Sequence, residues 1–248
     1  MTAAPARLAL VRHAESTWVA ESRFQGRLDP PLSDRGIRQA RLLAERLAAP
    51  DRNLHLPLPP IDPVGIWHSP LERARATAEP LRALLPGVRV IATEALLELG
   101  QGDWEGRLHG DVAADDGDRL AAWRRSPTTA NAPDGERLVD ASARVRGCLA
   151  GVIDALGRAS RADDADASEP WALILAHDGV LRLALLALLE LPLERFWAFP
   201  FSLCGISVVE LGGATAALRA HGLVDHLLPL TADPIALAEA RGERGGAL

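Results

Sequence analysis

Five side chains stand where this sequence could do chemistry: Arg12, His13, Arg73, Glu98 and His177. His13 follows an apolar run at residues 8–11 and is preceded by Arg12, and His177 follows a second apolar run at 171–176. If both runs are parallel strands, both histidines emerge past their carboxyl ends on one rim, where open α/β sheets place ligands. Arg73 lies near the start of a helix opened by Ser69-Pro70-Leu71-Glu72, with a capping residue, a proline at the first helical position and a glutamate at capping-box spacing. Unpaired N–H groups, the positive end of the helix dipole and a forked guanidinium together make an anion site suited to phosphate. Glu98 sits among leucines in Leu96-Leu97-Glu98-Leu99-Gly100. Burial there raises a carboxyl pKa, as a proton donor working near neutral pH requires. Singly, each residue has an ordinary structural explanation; their convergence on one rim is the argument for a site.

Composition narrows the chemistry. The chain has 27 basic residues against 33 acidic ones, a formal charge of −6, and every one of the 27 is arginine. Without lysine there is no Schiff-base nucleophile, no pyridoxal attachment and no phosphate-loop lysine. The acidic balance argues against nucleic acid or an anionic membrane as partner. The apolar run at 8–11 is too short for a signal peptide, and Arg182 and Glu190 interrupt the longest apolar stretch, so no membrane span is expected. Cys148 and Cys204 are too few for a disulfide framework, which points to a reducing, cytoplasmic setting. His55, His109, His221 and His226 have no metal-type spacing, so neither a metal nor another cofactor is expected. A homodimer is left open.

The elements that must position these residues alternate. Strands are expected at 8–11, 64–67, 88–92 and 171–176, and helices at 35–48 behind Ser33, from Ser69 onward, and at 117–125, 136–156 and 180–191. Two late strands, 206–211 and 214–220, flank a Gly212-Gly213 hairpin signal, while 57–63, 126–135 and 160–170 read as loops. This is the pattern of an α/β three-layer sandwich, a mostly parallel central sheet flanked by helices. One domain is expected over residues 1–230, with a tail at 231–248.

Taken in order, the motifs resemble the histidine phosphatase (phosphoglycerate mutase-like) superfamily, branch 1. Leu10-Val11-Arg12-His13-Ala14-Glu15-Ser16 is similar to its Arg-His-Gly-Glu-Thr signature. Further matches are Arg23-Phe24-Gln25-Gly26-Arg27-Leu28-Asp29, then Pro31-Leu32-Ser33 through Gln39-Ala40, then Ser69 through Ala74. Later come Glu98 through Trp104-Glu105-Gly106, Pro133 through Glu136, and His177-Asp178-Gly179 through Arg182.

The resemblance implies a metal-independent phosphatase working through a covalent phosphohistidine. His13 would attack phosphorus, Arg12, Arg73 and His177 would surround the phosphoryl oxygens, and Glu98 would protonate the leaving alcohol and then activate water. Ser16, Gln25, Gly26 and Asp178 would complete the phosphate and substrate contacts. Where most branch 1 members have His-Gly-Gly, this chain has His177-Asp178-Gly179, similar to the branch 2 His-Asp pair whose Asp donates the proton. Glu98 is the favoured donor, and Asp178 is expected to cap the helix starting near Val180. The expected partner is a small phosphorylated metabolite, a sugar or nucleoside phosphate. Residues 194–197 and the strand after them look like the corresponding part of α-ribazole phosphatase-like members. Phosphoglycerate mutase, an isomerase, is the alternative; the segment from Trp104 to Pro133 looks too short for a mutase lid.

Overall fold

Successive residues of a strand point to opposite faces, so a strand that is apolar throughout must be covered on both sides. The computed structural model, which describes residues 5–49, 56–160, 169–212 and 216–231, is built around two such strands. β1 (Ala6–Arg12) sends Leu8 and Leu10 into one apolar cluster and Ala9 and Val11 into another, and β4 (Trp171–Ala176) is buried along its whole length. With β2 (Ile66–His68), β3 (Val90–Ala92), β5 (Ile206–Leu211) and β6 (Ala217–Leu223) they form one sheet in the order β3-β2-β4-β1-β5-β6. The β3-β2-β4-β1 portion is parallel, and β5 and β6 close one side antiparallel.

Helices cover both faces, as the three-layer expectation requires. α2 (Asp34–Ala48) and α3 (Glu72–Leu84) supply Leu43, Leu47, Ala74 and Leu81 to one cluster. On the other face, α6 (Leu138–Ala159) and α7 (Asp178–Leu188) pack with α4 (His109–Asp115) and α5 (Gly117–Arg125), which bury Val112, Leu120 and Trp123. α1 (Thr17–Ala20) and α8 (Leu228–Thr231) are single turns. Among the described residues, no helix is long and apolar enough to cross a membrane.

Several boundaries differ from the sequence reading. α3 begins at Glu72, not Ser69: Leu71 holds the N-cap position without a side-chain bond, and the carboxylate of Asp29, distant in sequence, accepts the Glu72 N–H at 2.7 Å. The capping chemistry is there but comes from another loop. α7 begins at Asp178 and ends at Leu188, so Asp178 is its first residue and not its cap. β2 lies later than the expected 64–67 because its pairing with β4 and β3 starts at Ile66, and α4 had no counterpart in the apolar pattern. The expected loops at 57–63 and 126–135 contain no helix or strand. Residues 161–168, 213–215 and 232–248 lie outside the described residues, and with them most of the third loop, the hairpin tip and the tail.

Candidate active site

Strand register brings the two histidines together. β1 and β4 are parallel neighbours with Arg12 opposite Ala176, and the His13 N–H donates to the Ala176 carbonyl at 2.9 Å. The rings that follow these strands lie 5.0 Å apart, tilted by 60°. His13 Nδ1 is 2.6 Å from its neighbour's carbonyl, Ala14 O; because a carbonyl only accepts, Nδ1 carries the proton and Nε2 keeps its lone pair. Burial, with the guanidinium charges of Arg73 and Arg12 adding, holds the His13 pKa well below its ordinary value, so the ring is neutral. His177 is depressed in the same way by burial, Arg73, His13 and Arg12, and both of its ring nitrogens are buried with no hydrogen-bond partner.

Arg73, fully buried in the first turn of α3, is held by two main-chain acceptors. Its Nη2 donates to Gly26 O at 2.8 Å and its Nη1 to Leu28 O at 2.9 Å, while Nε has no partner. Burial lowers its pKa to about 10, against the pull of Glu98 and Asp29, and it remains a cation at neutral pH. The loop that grips it is pinned by Glu105, whose oxygens accept the N–H groups of Arg27 at 3.0 Å, Leu28 at 3.2 Å and Gln101 at 2.8 Å. Gly26 has φ +53°, and a β-carbon there would stand 2.0 Å from Glu105 Oε1, so only glycine permits this grip. Arg12 Nη1 donates to Phe201 O at 2.8 Å.

Glu98 follows β3 after a short 3-10 turn, Glu94–Leu96. Its Oε1 accepts the Leu99 N–H at 2.9 Å, and the Gly179 N–H at the start of α7 lies 3.4 Å from Oε2. Burial raises its pKa, partly offset by the Leu99 hydrogen bond and by Arg73. The backbone of this loop is clamped from α6. Arg144 donates to Ala95 O at 2.9 Å and Glu98 O at 3.3 Å, and Glu136 holds the same guanidinium at 2.8 Å.

The remaining expected contacts divide. Gln25 and Ser16 bond to each other, Ser16 Oγ donating to Gln25 Oε1 at 2.6 Å while accepting from Val19 N, so the Ser16 hydroxyl caps α1 and holds Gln25. Gly26 presents its carbonyl to Arg73. Asp178 does not cap α7: both of its oxygens are engaged by Arg182 at 2.9 Å, and Oδ1 also accepts the Phe201 N–H at 2.9 Å. Sequence reasoning gave no task to Thr77, Arg144 or Arg182. Thr77 accepts the Ala14 N–H at 3.0 Å and donates to Arg73 O at 2.6 Å, tying the nucleophile loop to α3. Its spacing of four from Arg73 was the available signal. Among the described residues, no group of three or more His, Cys, Asp or Glu is placed to hold a metal ion.

A neutral imidazole with one directed lone pair, the fully buried Arg73, the half-buried Arg12, a second histidine and a buried carboxyl thus meet at one end of the sheet. The sequence profile of the histidine phosphatase superfamily, branch 1, matches residues 8–223. The chain belongs to that family. It is 31% identical to phosphoserine phosphatase 1 of Hydrogenobacter thermophilus over 208 residues, covering 83% of this chain and 86% of the relative. It is 32% identical to the adenosylcobalamin/α-ribazole phosphatase of Salmonella typhimurium, covering 86% and 94%. Among solved structures, a mycobacterial glucosyl-3-phosphoglycerate phosphatase in complex with VO3 superimposes with a TM-score of 0.73 at 29% identity, covering 88% of this chain and 100% of that one. As a histidine phosphatase, the chain has relatives named for different phosphorylated substrates.

Proposed function

We propose that this histidine phosphatase hydrolyses a small phosphomonoester, a sugar or nucleoside phosphate, through a covalent phosphohistidine on His13. The observation that carries the reading is the His13 ring. Its Nδ1 is committed to Ala14 O at 2.6 Å, which leaves Nε2 as the nucleophilic nitrogen beside the unanswered nitrogens of His177 and Arg73. Nε2 attacks phosphorus in line as the bond to the leaving oxygen breaks, and the Glu98 carboxyl gives that oxygen its proton. The Nδ1 proton stays on the ring, where the Ala14 carbonyl stabilises the positive charge that develops. Glu98, now a carboxylate, takes a proton from water as it attacks the phosphohistidine. Inorganic phosphate leaves and His13 returns to neutral. Arg12, Arg73 and His177 surround the phosphoryl oxygens, and because the transition state is loose, fixed charge held by the protein does most of the work.

Hydrolysis is favoured over isomerisation by the segment between Trp104 and Pro133, whose α4 and α5 bury Val112, Leu120 and Trp123 in the core instead of forming a basic lid. The names of the relatives make phosphoserine, glucosyl-3-phosphoglycerate and α-ribazole phosphate the substrates to try, with α-ribazole phosphate as the nucleoside-like candidate. The test compares wild type and His13→Ala on these and on an aryl phosphate, with chelator, and traps acid-labile phosphoprotein. Turnover that survives in His13→Ala, or that chelator abolishes, overturns the reading. Interconversion of 3- and 2-phosphoglycerate faster than phosphate release replaces hydrolysis with isomerisation.

A further inference from the structure

Asp178 occupies the position beside His177, yet its geometry does not fit a proton donor. Oδ1 accepts from Arg182 Nε and from the Phe201 N–H, and Oδ2 accepts from Arg182 Nη2, each at 2.9 Å. Every one of these partners is a donor, so both oxygens act as acceptors and none of these partners could take a proton from Asp178. Arg182 is fixed in turn by Phe196 O at 3.3 Å and by the rings of Phe196 and Trp197, whose centroids lie 5.8 and 5.2 Å from its guanidinium carbon. Asp178 and Arg182 are both about 95% buried, and they are one helical turn apart on α7.

What this pair holds is the backbone of Phe201. That residue lies in the irregular stretch before β5, outside the sheet ladder, with its ring buried in the apolar cluster 5.1 Å from the His221 ring. Its N–H goes to Asp178 at 2.9 Å and its C=O accepts from Arg12 Nη1 at 2.8 Å. The Arg12 backbone is anchored separately, through β1 and the Cys204 N–H donating to Arg12 O at 3.1 Å. The main chain of Arg12 is therefore set by the sheet, and its Nη1 is met by the carbonyl of a residue whose N–H is held by Asp178.

We propose that Asp178 is a positioning residue for Arg12, acting through the main chain of Phe201, with Arg182 and the Phe196–Trp197 shelf holding the carboxylate. The inference rests on the proposed phosphatase reading, in which Arg12 binds the phosphoryl group. It gives the His-Asp-Gly sequence a task distinct from the proton transfer assigned to Glu98.

The test is a double-mutant cycle between Asp178→Asn and Arg12→Ala, read as orthovanadate affinity by calorimetry and as kcat/KM across aryl phosphates of graded leaving-group pKa. Asp178→Asn is expected to weaken orthovanadate binding and lower kcat/KM by about tenfold in the wild-type background, and by less than about twofold when Arg12 is already alanine. The dependence of rate on leaving group stays unchanged. Losses that multiply in the double variant overturn the proposal, and so does a steeper leaving-group dependence in Asp178→Asn, which would make Asp178 the donor. If Asp178→Asn does not fold, Arg182→Lys replaces it: one ammonium nitrogen cannot reproduce the two parallel bonds of the guanidinium, and the same loss must again vanish in Arg12→Ala. Failure of the phosphatase reading is separate, because it appears as His13→Ala retaining activity.

Discussion

Gly179 lies so close to the Glu98 carboxyl that a β-carbon at Gly179 would stand 2.8 Å from Glu98 Oε1 and 2.6 Å from Leu99 Cδ1. The residue two places after His177 thus sets how deeply Glu98 can sit against α7. Gly179→Ala is expected to push the Glu98 loop outward, although alanine suits a helix better than glycine. Overpacking should cost about 1–3 kcal/mol of stability in thermal unfolding. The rate on alkyl phosphates, whose leaving groups need a proton, should fall more than the rate on aryl phosphates. Equal rates on both would show that the loop yields without moving the carboxyl.

Arg73 is a test of fork geometry. Lysine at this position keeps a cation but has a single nitrogen with which to meet both Gly26 O and Leu28 O, the two acceptors that orient the guanidinium. Arg73→Lys is expected to lower kcat/KM by roughly a hundredfold, the cost of losing one preorganised donor at a developing charge. Steady-state kinetics on an aryl phosphate checks this; a loss below threefold would mean that charge alone suffices.

The pH profile follows from two opposite shifts. His13 must be neutral to attack, and its pKa lies below 6.5, so the acid limb of kcat/KM falls below that value. Glu98 must be protonated to donate, and its pKa lies above 4.5, so the alkaline limb lies above that value. Glu98→Gln, measured as kcat/KM on an aryl phosphate, should flatten the alkaline limb and leave the acid limb in place. The substrate's own ionisation is common to both proteins and cancels in the comparison. An alkaline limb that persists in Glu98→Gln assigns the proton to another group.

Stability against pH isolates a residue outside the proposed catalytic set. Burial lowers the His226 pKa from 6.5 to about 4, with Asp225 opposing and Arg46 adding. Above pH 6.5 the ring is neutral in both the folded and the unfolded chain and contributes nothing. As pH falls below 6.5 the unfolded chain gains a proton that the folded one refuses, so stability declines until about pH 4 and then levels. Chemical denaturation at pH 7 and pH 5 should show wild type losing up to about 2 kcal/mol more than His226→Gln over that interval. Equal losses in the two proteins would place the proton uptake elsewhere.

Much of the fold was legible because β1 and β4 are apolar on both faces, and α2 carries a capping serine ahead of a regular apolar stripe. Such patterns report burial directly. The boundaries of α3 and α7 were not legible. α3 is capped by Asp29, a residue 43 positions before the N–H it accepts, and α7 starts at an aspartate turned toward Arg182 and Phe201. Local spacing carries no trace of a cap supplied by another loop.

The same division runs through the site. The order of residue types along the chain made His13, Arg12, Arg73, Glu98 and His177 the candidates, because a strand end and a helix start define one rim whatever the details of packing. Which nitrogen of His13 is free, which carbonyls orient Arg73 and what Asp178 holds depend on contacts between segments far apart in sequence. Arg12 illustrates it: Phe201, whose carbonyl meets its Nη1, is 189 residues away, and the Phe201 N–H donates to Asp178 on a third element. The sequence by itself determined the inventory of candidate groups and the sheet edge from which their elements emerge. Only the tertiary structure decided their orientation, since a hydrogen bond depends on a few tenths of an ångström and on angle, and those are set by how α3, α7 and the loop before β5 pack against the sheet.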